Sequence, residues 1–224
     1  MSNNDTLIQE MFEVGAHLGY SKSKRHPSTK PFILKTVHGK DVIDLEKTER
    51  QLRDALSFLV ELKSKGHQIL FVGTKAEARG IVRSQAEFID MPFVTERWIG
   101  GTLTNVSEIK KRIQKLIELS DQSDRDELIA ATKKEKLMLE REIERLEKKF
   151  GGLRNLKGLP GALFIVDPKK EDIAVTEANQ MGIPVIALSN TDADITRVSY
   201  PIVANNTAVP AISFFVKKIT EALK

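Results

Sequence analysis

The run QILFVGT, residues 68–74, decides the fold. Its apolar residues Ile69 to Val72 follow one another without polar alternation, the pattern of a strand buried on both faces in a parallel sheet. A helical stretch from Lys75 to Ile89 comes next, so the unit is strand then helix. The unit recurs downstream as PFVTERW (92–98), ALFIVD (162–167) with a helix over Asp172 to Met181, PVIALSN (184–190), and YPIVAN (200–205) with a closing helix from Ala208 to Leu223. Upstream lie a short amphipathic helix from Asp5 to Gly15, an extended piece from Phe32 to Val37, a hairpin turn at His38-Gly39-Lys40, and a helix from Glu46 to Lys65 ended by Gly66. Parallel strands need crossover connections, normally right-handed. The alternation therefore predicts an α/β fold with a doubly wound, mainly parallel sheet of about five strands, flavodoxin-like or Rossmann-like.

One segment breaks the alternation. Val106, Ile109, Ile113 and Leu116 stand at three-four spacing, and after the polar break SDQSDRD a second run has Leu139, Ile143, Leu146 and Phe150 at four-three-four spacing. Such heptad-like seams predict two helices paired as an inserted antiparallel coiled-coil hairpin. The second helix, roughly 24 residues at about 1.5 Å each, would reach about 36 Å. The expected organisation is an α/β domain of residues 1–102 plus 157–224 with the hairpin inserted at 103–156.

Composition narrows the chemistry. The chain of 224 residues has no cysteine, which excludes disulfides, thiolate metal sites and Cys nucleophiles. No apolar run approaches the ~20 residues of a membrane span. The opening MSNNDTLIQEMFEVG has acids and amides where a signal peptide has a basic start, so an intracellular protein is expected. The net charge of +4 is unevenly placed: between Glu13 and Asp41 there is no acid, while Lys22, Lys24, Arg25, Lys30, Lys35 and Lys40 and three of the four histidines fall there. Six Lys/Arg without an acid nearby in sequence read as unneutralised charge facing an anionic partner. Gly15, Gly19, Pro27 and Pro31 predict irregular surface backbone for that stretch.

No constellation for catalysis emerges. FVGTKAEARG (71–80) lacks the glycine spacing of either a dinucleotide loop or a phosphate loop, and Lys75 reads as a solvated side chain at a strand-helix turn. His17, His26 and His38 are spaced by nine and twelve, which matches no metal-ligand pattern. Ser189, Asn190, Thr191, Asp192 and Asp194 have no histidine nearby in sequence and read as a turn with an N-cap. Trp98 reads as core. Gly100-Gly101 before Thr102, Thr104 and Asn105 permits close backbone approach, which suits a phosphate contact.

Taken together and in order, MFEVGAHLGYSKSKRHPSTKPFI (11–33), VIDLEKT (42–48), ILFVGTK (69–75), RWIGGTLTN (97–105), KKE (133–135), GLPGALFIVD (158–167) and EANQMGIPVIALSNTD (177–192) resemble the bacterial ribosomal protein S-two family over nearly the whole chain. Tyr20 stands where that family usually has a second histidine, and residues 190–208 lack its usual Asp-Pro and Pro-Gly-Asn-Asp. The resemblance implies a cytoplasmic, ribosome-bound structural constituent of the small subunit. It implies binding to 16S ribosomal RNA near the head-body junction and help in anchoring protein S-one, with no enzyme activity, cofactor, metal, membrane or small-molecule substrate. The candidate RNA-binding residues are then His17, Lys22, Lys24, Arg25, His26, Lys30, Arg97, Gly100, Gly101, Thr102, Thr104 and Asn105. The alternative is a nucleotide- or sugar-phosphate-binding enzyme on a flavodoxin-like scaffold.

Overall fold

The computed structural model describes residues 3–124 and 133–224. Five parallel strands, β4 (Ile69–Val72), β5 (Phe93–Val94), β6 (Ala162–Val166), β7 (Val185–Ser189) and β8 (Tyr200–Val203), form one sheet in the order β5-β4-β6-β7-β8. Every residue of β4, β6 and β7 is buried, as their unbroken apolar runs require. Because β4 is followed in space by β5 on one side and β6 on the other, the winding reverses between β4 and β6. The expected doubly wound α/β sheet is present.

Side chains alternate between two layers, as strand geometry dictates. Ile69 and Phe71 pack with Phe164, Ile186 and Ile202 against α1 (Asn3–Glu13), α2 (Leu45–Ser64), α3 (Ala76–Phe88) and α7 (Val209–Ala222). Leu70 and Val72 pack with Leu163, Ile165 and Ala187 against α4 (Val106–Asp124), α5 (Lys133–Phe150) and α6 (Asp172–Gln180).

The second layer bears on the expected insertion. Ile109, Ile113 and Leu116 of α4 and Leu146 and Phe150 of α5 belong to the same apolar cluster as the sheet face, together with Leu103, Leu153 and Leu156. Lys110 Nζ donates to Lys157 O at 2.9 Å and Lys115 lies 3.5 Å from Glu142, so the contacts run in antiparallel order. The two helices are thus rooted in the core, with their apolar seam continuous with it. The first helix runs further than expected: Ser120 to Asp124 of the polar break SDQSDRD continue α4, and residues 125–132 lie outside the described residues.

A second sheet adds to the expected architecture. β1 (Leu18–Ser21), β2 (Ile33–Val37) and β3 (Lys40–Ile43) pair antiparallel in the order β1-β3-β2. The β2–β3 turn places His38 and Gly39 at positive φ, the geometry that matches strand twist in tight hairpins. The stretch read as irregular is therefore part strand and part 3-10 turn, at Lys22–Lys24 and Pro27–Phe32. Prolines 27 and 31 exclude a longer helix there without preventing short turns.

Candidate nucleic-acid interface

The acid-free stretch is held down by hydrogen bonds to the segments that follow β7 and β8 and by one buried ion pair. The chain leaves α1 through Gly15 at φ +74, and Gly15 O and Ala16 O accept from Asn205 Nδ2 and N at 3.1 and 2.9 Å. Past the end of β7, Thr191 is the main anchor. Its Oγ1 accepts from Tyr20 N at 3.0 Å, and its carbonyl accepts from His26 N and Thr29 Oγ1, both at 2.8 Å. Gly19 lies so close that a Cβ there would stand 2.7 Å from Thr191 Cγ2 and 3.0 Å from Asp41 O, so this position excludes any side chain. Ser28 Oγ accepts from Ile195 N at 3.2 Å, and Asp194 caps the following turn through Thr196 N at 3.0 Å, which fulfils the N-cap reading of that cluster.

On this frame Lys22, Lys24 and Lys30 are exposed, and Lys35 and Lys40 extend the basic surface along the hairpin. None of the five has an acid within ion-pair distance among the described residues, while the Lys24 ammonium lies 5.6 Å from the centre of the Tyr20 ring.

Arg25 corrects the expectation that this charge is unneutralised. Its guanidinium forms a forked ion pair with the fully buried Asp41 carboxylate and also donates to Thr36 Oγ1 at 2.8 Å. Thr36 sits directly across from Asp41 in the β2–β3 register, so a cross-strand pairing brings in the acid that the linear sequence places at the end of the stretch. The hydrogen bond from Arg25 is the main reason that the Asp41 carboxyl stays below its ordinary range.

Replacing Arg25 by Ala would leave a buried carboxylate without its cation, so a loss on the order of 3 kcal/mol is expected in urea unfolding. A carboxyl depressed in the folded state contributes stability above its unfolded value, ~3.9, and loses it as pH falls through the lower folded value. The wild type should therefore lose its advantage over Arg25→Ala on acidification below about pH 4, and an unchanged gap at low pH would refute the pairing as the cause.

The histidines divide. His26 Nδ1 lies 2.7 Å from Ser28 Oγ and 3.9 Å from Asp194 Oδ1, on the edge of the basic surface. His17 stacks on Phe12 with ring centres 4.4 Å apart and 14° between planes, and burial lowers its pKa. Its Nδ1 is buried and makes no hydrogen bond, so His17 serves packing rather than a direct phosphate contact through that atom.

The second candidate group is used differently from expectation. Glu177 of α6 points its carboxylate into the loop after Trp98, accepting from Gly101 N at 2.8 Å, Leu103 N at 3.0 Å, Thr104 N at 3.3 Å and Trp98 Nε1 at 3.1 Å. Gly101 takes φ +91 to turn its N–H inward. Burial pushes the Glu177 carboxyl up, yet these donors together outweigh it and hold the group below its usual range. The N–H groups expected to meet a phosphate already hold an internal anion. Thr102 is buried and donates to Ile99 O at 2.6 Å, and Trp98 is core. Of this group Arg97, Gly100, Thr104 and Asn105 remain exposed, although Thr104 also bonds Glu177, and no hydrogen bond or ion pair among the described residues ties them to the 15–31 segment.

Lys75 is also corrected. Rather than solvated, its ammonium lies 3.1 Å from Asp167 Oδ2 and donates to Asn206 O at 2.9 Å, at the carboxyl ends of β4, β6 and β8. A phosphate at this winding reversal would compete with a cation that is already paired. Asp167 and Glu177 stand 92 and 76 residues from their partners, so no local motif announces them.

A family model for ribosomal protein S2 matches residues 11–224. The small ribosomal subunit protein uS2 of Roseiflexus castenholzii is 42% identical over 96% of this chain and 82% of that protein. The proteins of the same name from Chloroflexus aggregans and Francisella tularensis subsp. novicida are each 40% identical, over 96% and 97% of this chain and 90% and 91% of theirs.

Proposed function

Because the chain belongs to the ribosomal protein S2 family, we propose that its 15–40 surface seats it on 16S ribosomal RNA near the head-body junction of the small subunit. It is a structural constituent of that subunit rather than an enzyme. The observation that carries the RNA reading is the set of exposed ammonium groups of Lys22, Lys24 and Lys30, none in an ion pair among the described residues, on backbone held by Thr191. Phosphate is the anion that an RNA surface offers such a row, and ordered backbone makes the contacts cheaper in entropy than those of a loose basic tail. Arg97, Gly100, Thr104 and Asn105, the exposed members of the 97–105 group, form a second, separate contact.

The family resemblance further supports residues 103–156 as a coiled-coil extension whose outer part projects from the rooted helices, and a role in anchoring protein S-one. No helix among the described residues is long and apolar enough to cross a membrane. The working location is the cytoplasm, on the ribosome.

Ultraviolet crosslinking in cells, followed by identification of the attached RNA and the attached peptide, tests the reading. The expected adduct joins 16S ribosomal RNA to a peptide from residues 15–40. Adducts to other RNA, or to 16S RNA only through α4 and α5, would overturn it.

A further inference from the structure

Phe12 is an exposed aromatic that the interface described above leaves unused. Its side chain is 58% exposed although one flank of the ring is stacked on His17, which holds the ring in place. The ring also lines a groove of about 460 Å³ between α1 and the start of α2, together with Ile8, Gln9, Leu45 and Glu46. Two apolar side chains and an aromatic face thus meet an amide and a carboxylate. The Glu46 carboxylate makes no hydrogen bond or ion pair among the described residues.

The groove adjoins the basic surface. Asp44 N donates to Phe32 O at 2.9 Å, and Lys47 Nζ donates to Pro31 O at 2.6 Å, so the first turn of α2 is tied to the end of the 15–31 segment beside Lys30. Arg50 is exposed one turn further along α2. Lys47 is itself paired with Asp44 at 3.4 Å, which leaves Lys30 and Arg50 as the cations near the groove that make no ion pair among the described residues.

We propose that this groove takes one unstacked guanine of the RNA, a reading that rests on the RNA-binding function above. Single-stranded and loop bases are recognised by stacking on aromatic rings and by hydrogen bonds to their edges. Phe12, locked by His17, supplies the ring. A carboxylate is an acceptor only, so Glu46 selects a base edge with adjacent donors, which guanine offers in N1–H and N2–H. Lys30 and Arg50 meet the phosphates on either side of the base. An amphipathic helix from a protein partner fits less well, because it needs anchors over two turns or more and the groove offers a single short site.

The test adds full-length variants back to small subunits stripped of this protein, at several salt concentrations, with chemical probing of guanine N1 and N2. Phe12→Leu keeps the bulk and loses the ring, and it is expected to weaken binding by roughly 5- to 100-fold. Its salt slope should match wild type, because no phosphate contact is removed. Phe12→Trp should restore affinity, and melting temperatures of all variants check folding. One guanine, protected by the wild-type protein, should become reactive with Phe12→Leu and with Glu46→Gln. Wild-type affinity in Phe12→Leu, or loss of affinity with no guanine changing reactivity, would overturn the proposal, the second outcome assigning the groove to a protein partner. If reversing Lys22, Lys24 and Lys30 leaves binding intact, the parent reading fails. If that reversal abolishes binding and Phe12→Leu does not alter it, the groove proposal alone fails.

Discussion

Reversing three charges together, Lys22→Glu with Lys24→Glu and Lys30→Glu, is expected to abolish uptake of the protein into small subunits at physiological salt. The variant should still melt at the wild-type temperature. All three side chains are exposed and none is in an ion pair among the described residues, so the folded state loses only the exposed contact of Lys24 with the Tyr20 ring. RNA binding loses three cations and gains three repulsions. For folded or single-stranded RNA each phosphate contact contributes about 0.7 to the slope of log affinity against log salt, so neutral replacements at the three sites should lower that slope by about 2. The matched control is Arg141→Glu with Arg145→Glu on α5, where Arg145 already pairs with Glu142 at 2.7 Å and acids share the surface. That control should bind with little change. If the α5 variant lost uptake and salt sensitivity while the triple variant kept both, the main RNA contact would lie on the helical arm.

The comparison with an Arg25 variant separates two things that a count of charges merges. Arg25 looks equivalent to Lys22, Lys24 and Lys30 in the linear sequence, and on that level all four are unneutralised. In the fold, the β2–β3 register sets Thr36 across from Asp41 and gives Arg25 a buried partner, so it is a structural cation. Register depends on which side chains are buried on each face and on the His38-Gly39 turn, and charge spacing along the chain carries none of that information. The strand-helix alternation was legible for the opposite reason. Burial on both faces makes β4, β6 and β7 continuous apolar runs, so the determining property is local. The short antiparallel sheet was legible in part: the extended piece at 32–37 and the hairpin at 38–40 are β2 and its turn, whereas β1 is four residues containing Gly19, too short to show an alternation. Lys75 shows the limit from another side: its motif lacks the spacing of a phosphate loop, and its partner Asp167 lies one strand over in space and 92 residues away in sequence.

Glu177 makes the same point with the largest consequence for stability. Glu177→Ala is expected to destabilise the protein by on the order of 4 kcal/mol, because four inward-facing donors, Gly101 N, Leu103 N, Thr104 N and Trp98 Nε1, lose their acceptor at about 1 kcal/mol each. That is a large part of the ~5–15 kcal/mol typical of a folded domain. Hydrogen exchange should show the change first at residues 98–105, where the loop leads into α4, and then across the sheet face that shares their apolar cluster. Glu177→Gln keeps one acceptor oxygen but turns an amide N–H toward donors, so an intermediate loss is expected. The charge contributes a pH dependence of fixed sign. The Glu177 carboxyl is held below its ordinary value in the folded state, so its contribution is complete above the unfolded value, ~4.3, and is lost as pH falls through the folded one. Stability measured by urea unfolding should therefore fall more steeply below about pH 4.5 in the wild type than in Glu177→Gln. Equal stability of Glu177→Ala and wild type at neutral pH would show that water satisfies these donors and would return the Gly101–Thr104 backbone to the set of groups available for phosphate.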